Sequence, residues 1–296
     1  MTRFHAIQLA SAAGAMLVAS SVATQTQETR ETTRQMVAEE FLKKRPAAVK
    51  PAAAGKPSYR LVTPKASPAK AGHEVIELGM TLWRLRPAQS GEDGARLLVQ
   101  EAADLTAERL DTGAPLAPGE RVRLTIESPV AGYLYVIDRE MFADGSMSEP
   151  YLIFPTSRTR QGDNAMRPGR LIDIPDQMDR PNYFTVRPSR PDQTGELISI
   201  VVTPTPLDEV AVADKPLVLA RDLVARWEKA WAAPVQQFAL DGGAKKLWTR
   251  EEQAAAGEAT RLLKQDDPPP QTLFRLSARR GAPILVNVRL PFAPPR

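Results

Sequence analysis

Between Gly119 and Pro204 the chain is a series of short β-forming runs broken by turn residues. Val122, Leu124 and Ile126 alternate with Arg121, Arg123, Thr125 and Glu127. A period of two places one set on each face of a strand. The expectation is an antiparallel strand with its apolar face on a core and its polar face in water. Gly132 to Ile137 is continuously apolar and aromatic, as a central strand is. Asp144-Gly145 is turn chemistry between that run and Tyr151 to Phe154. Leu171 to Ile174, Asn182 to Val186 and Leu197 to Thr203 continue the series. Strands at intervals of roughly 10 to 20 residues with turn punctuation predict a sandwich rather than a βαβ fold.

The flanks extend this reading. Val75 to Arg86 predicts one or two strands with Trp83 as an anchor, Arg96 to Gln100 a further strand, and Asp104 to Leu110 leads into a turn at Asp111 to Gly113. Pro216 to Ala232 predicts a helix, because Ala220, Leu223, Val224, Trp227 and Trp231 form one stripe. The two tryptophans are expected to pack that helix on a sheet rather than to bind a sugar. Thr249 and Glu252 make a capping box that opens a second helix, expected to run to about Lys264. Gln271 to Ser277 and Ile284 to Leu290 predict a C-terminal hairpin. The expected fold class is therefore mainly β with α additions. It is an antiparallel β-sandwich, immunoglobulin-like in character, with two packed helices (near 216–232 and 249–264) and that hairpin, spanning 73–292.

Residues 1–23 carry the three parts of a secretory signal: Arg3, the uncharged run Ala6 to Ala19, and small residues at Ser21 and Ala23. Cleavage is expected after Ala23. The apolar run is shorter than the roughly 20 residues of a spanning helix. Residues 24–72 read as a disordered or partly helical arm and linker. Met36, Val37, Phe41 and Leu42 fit a helical stripe, taken as a fraying helix in a tail. Pro46 to Gly72 is rich in Pro, Ala and Lys and predicts an extended polyproline II spacer. The expectation is an exported protein, periplasmic or extracellular in a bacterium, with no transmembrane segment once the signal is removed.

Composition narrows the chemistry. Cysteine is absent, which excludes thiolate catalysis, disulfides and cysteine metal sites. Of two histidines, His5 lies in the expected signal and His73 at the end of the linker, where it reads as a solvated loop residue. The chain carries 27 prolines among 296 residues and a formal charge of +4. Asp138, Asp144, Glu149, Asp163 and Asn164 lie near expected loops and are oxygen ligands of the kind calcium takes. No EF-hand spacing links them, and turn chemistry accounts for Asp144-Gly145 and Asp163-Asn164. No cofactor, metal or catalytic residue is expected. Arg158, Arg160, Arg167 and Arg170 surround the Gly162-Asp163-Asn164 loop and are the candidate ligand-binding residues, suited to an anionic polymer or phosphate.

Glu120 to Leu124, Gly132 to Val136, Tyr151 to Pro155, Asp163-Asn164, Pro168-Gly169 and Ile174-Pro175 occur in an order that resembles the bacterial family called "domain of unknown function 4384". The resemblance covers about residues 119–204. It implies a β-sandwich of exported bacterial proteins, fused to varied partners that include kinase-like and caspase-like domains, and supplies no catalytic residues. The functional expectation is a non-catalytic binding module of the cell envelope. Its partner would be an unknown protein or envelope polymer, not nucleic acid. The alternatives are a carboxylate-dependent glycan hydrolase and a structural assembly subunit using exposed sheet edges.

Overall fold

The computed structural model describes residues 35–48, 57–63, 72–92, 96–97, 105–257 and 261–294. The expected signal, most of the linker and residues 98–100 lie outside them. The fold is mainly antiparallel β, with two sheets and few helices.

One sheet is organised by a single long strand, β2 (His73–Pro87). Residues 73–80 of β2 pair with β14 (Thr272–Arg279), and residues 82–87 pair with β4 (Leu105–Leu110) along the same edge. β5 (Arg121–Glu127) takes the opposite edge. β13 (Val235–Leu240) and then β1 (Tyr59–Leu61) continue beyond β14. β3 (Arg96–Leu97) lies beyond β4. β9 (Leu171–Ile174) and β10 (Phe184–Thr185) lie beyond β5. The other sheet runs β12 (Leu217–Val218), β7 (Tyr151–Phe154), β6 (Gly132–Phe142), β11 (Gln193–Thr203), β15 (Ile284–Pro291), with β8 (Ala165–Met166) on the β7 side of β6.

The alternation in β2 and β5 builds the interior. Ile76, Leu78, Met80 and Leu82 of β2 and Val122, Leu124 and Ile126 of β5 face Leu134 and Val136 of β6 and Ile198, Ile200 and Val202 of β11. The outer faces are not left to water. On the second sheet α2 (Arg221–Trp231) sets Val224 and Trp227 over Tyr135, Ile137 and Val201. On the first sheet α3 (Arg250–Ala256) and the turn at Trp248 cover Trp83 and Leu85. At its other end a helix over 35–43, α1, covers Tyr59, Phe238 and Leu273 with Val37, Ala38 and Phe41.

Several expectations are corrected. The polar face of β5 is buried: Arg123, Thr125 and Glu127 are each at most 3% exposed. Glu127 receives Nε and Nη2 of Arg45, both at 2.7 Å. Trp83 Nε1 donates to Thr125 Oγ1 at 2.7 Å, and that hydroxyl donates to Asp173. The Arg123 guanidinium lies 4.2 Å from the Trp248 ring centroid and 3.8 Å from Asp173. The arm is not a fraying tail within 35–48, because Val37, Ala38 and Phe41 are buried. The packed unit therefore begins well before residue 73. His73 starts β2, opposite Arg279, rather than sitting in a loop.

Three further expectations change for reasons of pairing. The helix expected from Pro216 starts at Arg221, because Leu217 and Val218 pair with β7 and hold the chain extended. The capping box on Thr249 forms, but the helix stops at Ala256. Leu263 is buried, and its N–H donates to Gly169 O at 2.7 Å, so this segment serves a tertiary contact. The C-terminal strands are not a hairpin. β14 pairs with β13 and β2, β15 pairs with β11, and the turn between them carries the chain from one sheet to the other. Alternation reports which face a strand buries, not which strand it pairs with.

Candidate functional site

The loop after β7 and the loop after β9 meet at a cavity of about 340 Å³. Arg158, Arg160 and Arg170 line it, together with Asp163, Asp176 and Asp179. Three of the four arginines singled out in the sequence thus converge. Arg167 does not join them; it opens the turn closed by the Arg170 N–H on Arg167 O at 3.0 Å. A single 3₁₀ turn at Arg160–Gly162 builds the cavity wall, with φ of 52° at Arg160, 55° at Gln161 and 83° at Gly162. Left-handed backbone is ordinary for glycine and costly for Arg and Gln. Strain of this kind concentrates at sites where a side chain must be held in one place.

The charges in this cavity are unequally engaged. Asp179 accepts from Thr159 Oγ1 at 2.6 Å and from the Asp176 N–H at 2.8 Å. Asp176 accepts from the Met178 N–H at 2.9 Å. Burial nevertheless holds the Asp179 carboxyl above the usual carboxylate range, opposed by those bonds. Arg160 uses Nη2 on Asp163 Oδ2 and Nε on Asp163 O, both at 3.2 Å. Its side chain is only 8% exposed, and its Nη1 is buried without a hydrogen-bond partner. Arg158 is exposed and forms no ion pair among the described residues. Burial, then the charges of Arg160 and Arg167, lower the Arg170 guanidinium from its ordinary value. The acids are tied into the loops, while Arg158 and Nη1 of Arg160 remain for an acceptor.

A second cavity, of about 170 Å³, opens between the sheets at the end of the core. Leu116, Phe184 and Phe292 form part of its apolar wall, and Asp138 and Glu196 are its carboxyls. Asp138 lies on β6 opposite Ile198, and Glu196 lies on β11 opposite Glu140, so the two are diagonal neighbours on the inward face. The register of β11 shifts between Gln193 and Gly195. A bulge re-aims the residue beside it, and here Gln193 Nε2 holds Glu196 Oε1 at 2.8 Å. A side chain at Gly195 would sit 2.4 Å from Leu290 O, so the close strand approach beside Glu196 requires glycine. Burial first, then the charges of Asp138 and Glu140, push Glu196 up to about 9. Burial also pushes Asp138 up, opposed by the hydrogen bond from Glu196. Apart from that pairing, Asp138 Oδ1 and Glu196 Oε2 are buried without a partner.

Sequence reasoning named Asp138 as a loop acid and passed over Glu196. The signal was present: Ile198, Ile200 and Val202 alternate inward along β11, and two residues back the same period reaches Glu196. The other acids are dispersed. Asp144 accepts from Ser146 and holds its turn, Glu149 pairs with Arg221, and Asn164 Nδ2 donates to Leu134 O. Among the described residues no group of His, Asp and Glu is placed to hold a metal ion. No family model, curated protein or solved structure matches the chain.

Proposed function

We propose that this protein is an exported, non-catalytic binding module of the bacterial envelope. In this reading, the cavity lined by Arg158, Arg160 and Arg170 receives an anionic group of an envelope polymer. The observation that carries the reading is Arg160. A guanidinium held almost out of water on strained backbone, with a buried donor unused, is arranged for an acceptor supplied from outside. Arg158 adds an exposed cation that forms no ion pair among the described residues. The order of the β motifs supports kinship with the family named above. The signal-like residues 1–23 support export, and among the described residues no helix is long and apolar enough to cross a membrane.

Two measurements test this. Purified envelope fractions should retain the wild-type protein, with retention falling as salt rises. The double variant Arg158→Gln, Arg160→Gln should lose at least about tenfold in affinity. Failure to retain any fraction, together with hydrolysis of a glycan panel, would overturn the reading in favour of an enzyme. Expression in a bacterial host followed by N-terminal sequencing should give a mature chain starting at Thr24, and an intact Met1 would remove the export claim. The glycan-hydrolase alternative is less well supported. It asks for two carboxyls flanking a substrate across an open cleft, whereas Asp138 and Glu196 are neighbours on one face of adjacent strands.

A further inference from the structure

The cavity between the sheets differs from the arginine-lined one in every property that selects a guest. Its walls are mostly apolar, its buried unpartnered atoms are carboxyl oxygens, and it is small. At about 170 Å³ it falls below the roughly 300–1,000 Å³ of drug-sized sites. An apolar cavity of about 150 Å³ is nevertheless large enough to take up benzene. A guest is therefore one ring or one short chain. It must also answer the carboxyls, since buried acceptors without a donor are costly.

The charge around the pair is negative. Glu140 lies opposite Glu196 and raises both carboxyls, with its own Oε2 held by Ser189 Oγ at 2.8 Å. Gln193 supplies a neutral donor to Glu196 Oε1. Arg187 also lines the cavity, but it is exposed and forms no ion pair among the described residues. Among the described residues no cation is paired with either carboxyl. Asp138 and Glu196 are neighbouring acids whose ionisation each opposes the other's, and their unpartnered oxygens Oδ1 and Oε2 face an apolar space.

We propose that this cavity binds a small primary amine, its ammonium donating to Asp138 and Glu196 and its apolar body lying among Leu116, Phe184 and Phe292. The site is independent of the anion-binding reading. The ammonium supplies three donors and one positive charge, which are what the two oxygens lack. The ring or chain replaces water against the aliphatic and aromatic wall.

Titration of the full chain with benzylamine, with benzyl alcohol as the uncharged analogue, tests it by methyl-resolved NMR. Benzylamine should shift resonances of Leu124, Ile153 and Leu290, which line the cavity, and should bind at least tenfold more tightly than the alcohol. Asp138→Asn with Glu196→Gln keeps both shapes and should abolish that preference. Equal binding of amine and alcohol, no saturable shift, or shifts confined to residues outside the cavity would each overturn the proposal. The wild-type shift map alone decides the location should the double variant fail to fold.

Discussion

Glu196 shares one face of the β6–β11 pair with Asp138 and Glu140, and its ionisation is tied to folding. Burial and the two neighbouring charges raise its proton affinity from 4.5 to about 9. A raised value in the folded state means that folding favours the protonated group. The stability linked to it is complete below 4.5 and is lost as pH rises towards about 9. Asp138, raised from 3.8 to about 6, acts in the same direction over a lower window. Glu196→Gln keeps the shape and cannot ionise. Variant and wild type should therefore melt alike near pH 4.5 and diverge steadily towards pH 9, with the variant the more stable at the alkaline end. Thermal melts across that window check this, and parallel profiles would show that Glu196 ionises without cost to the fold. The inward direction of Glu196 was legible from the period of its strand. Its crowding by Asp138 was not, because the pairing of β6 with β11 joins residues about sixty apart.

At the scale of elements, local patterns identified what they encode and nothing more. Strict alternation gave β5 and the inner face, and Thr249 with Glu252 gave the start of α3 through a capping box that forms as expected. What alternation did not encode was whether a polar face is wet. Arg123 and Glu127 looked solvated because their partners Asp173 and Arg45 lie on distant segments. The docking of α1 was missed for a similar reason, although one residue signalled it. Gly79 interrupts an otherwise packed strand, and glycine inside a strand marks a close approach. A Cβ there would meet Phe41 Cζ at 2.9 Å and Pro270 Cγ at 2.8 Å. Gly79→Val should thus expel Phe41 and free α1 while β2 keeps its place. The cost should be about 1–3 kcal/mol, the range for overpacking. Limited proteolysis should then cut within residues 35–48 much faster than in wild type, and unchanged cleavage would show that α1 does not depend on the space left at Gly79.

An arginine–glutamate pair joins each covering layer of the molecule to its sheet. Arg45 beyond α1 holds Glu127 of β5, Arg109 of β4 holds Glu252 of α3, and Arg139 of β6 holds Glu228 of α2. The first two pairs are buried, with side chains at most 4% exposed, whereas Glu228 keeps 30% exposure. Removing one partner of a buried pair leaves a charge without compensation, at a cost of about 3–5 kcal/mol. Arg45 also donates to the carbonyls of Lys264, Asp267 and Pro268, so its loss loosens the segment after α3 as well. Arg45→Met should therefore reach the upper part of that range. Arg139→Met should fall near 1 kcal/mol, since water can solvate Glu228. The Arg45 and Arg139 pairs lie on opposite outer faces of the sandwich, so their costs should add to within about 0.5 kcal/mol. Arg45→Met with Glu127→Met should recover much of the single-variant loss, because an apolar pair leaves no buried charge. Chemical denaturation of the four variants measures all of these terms. Strong non-additivity between the two faces would mean that the layers open together and that the pairs are not separate attachments.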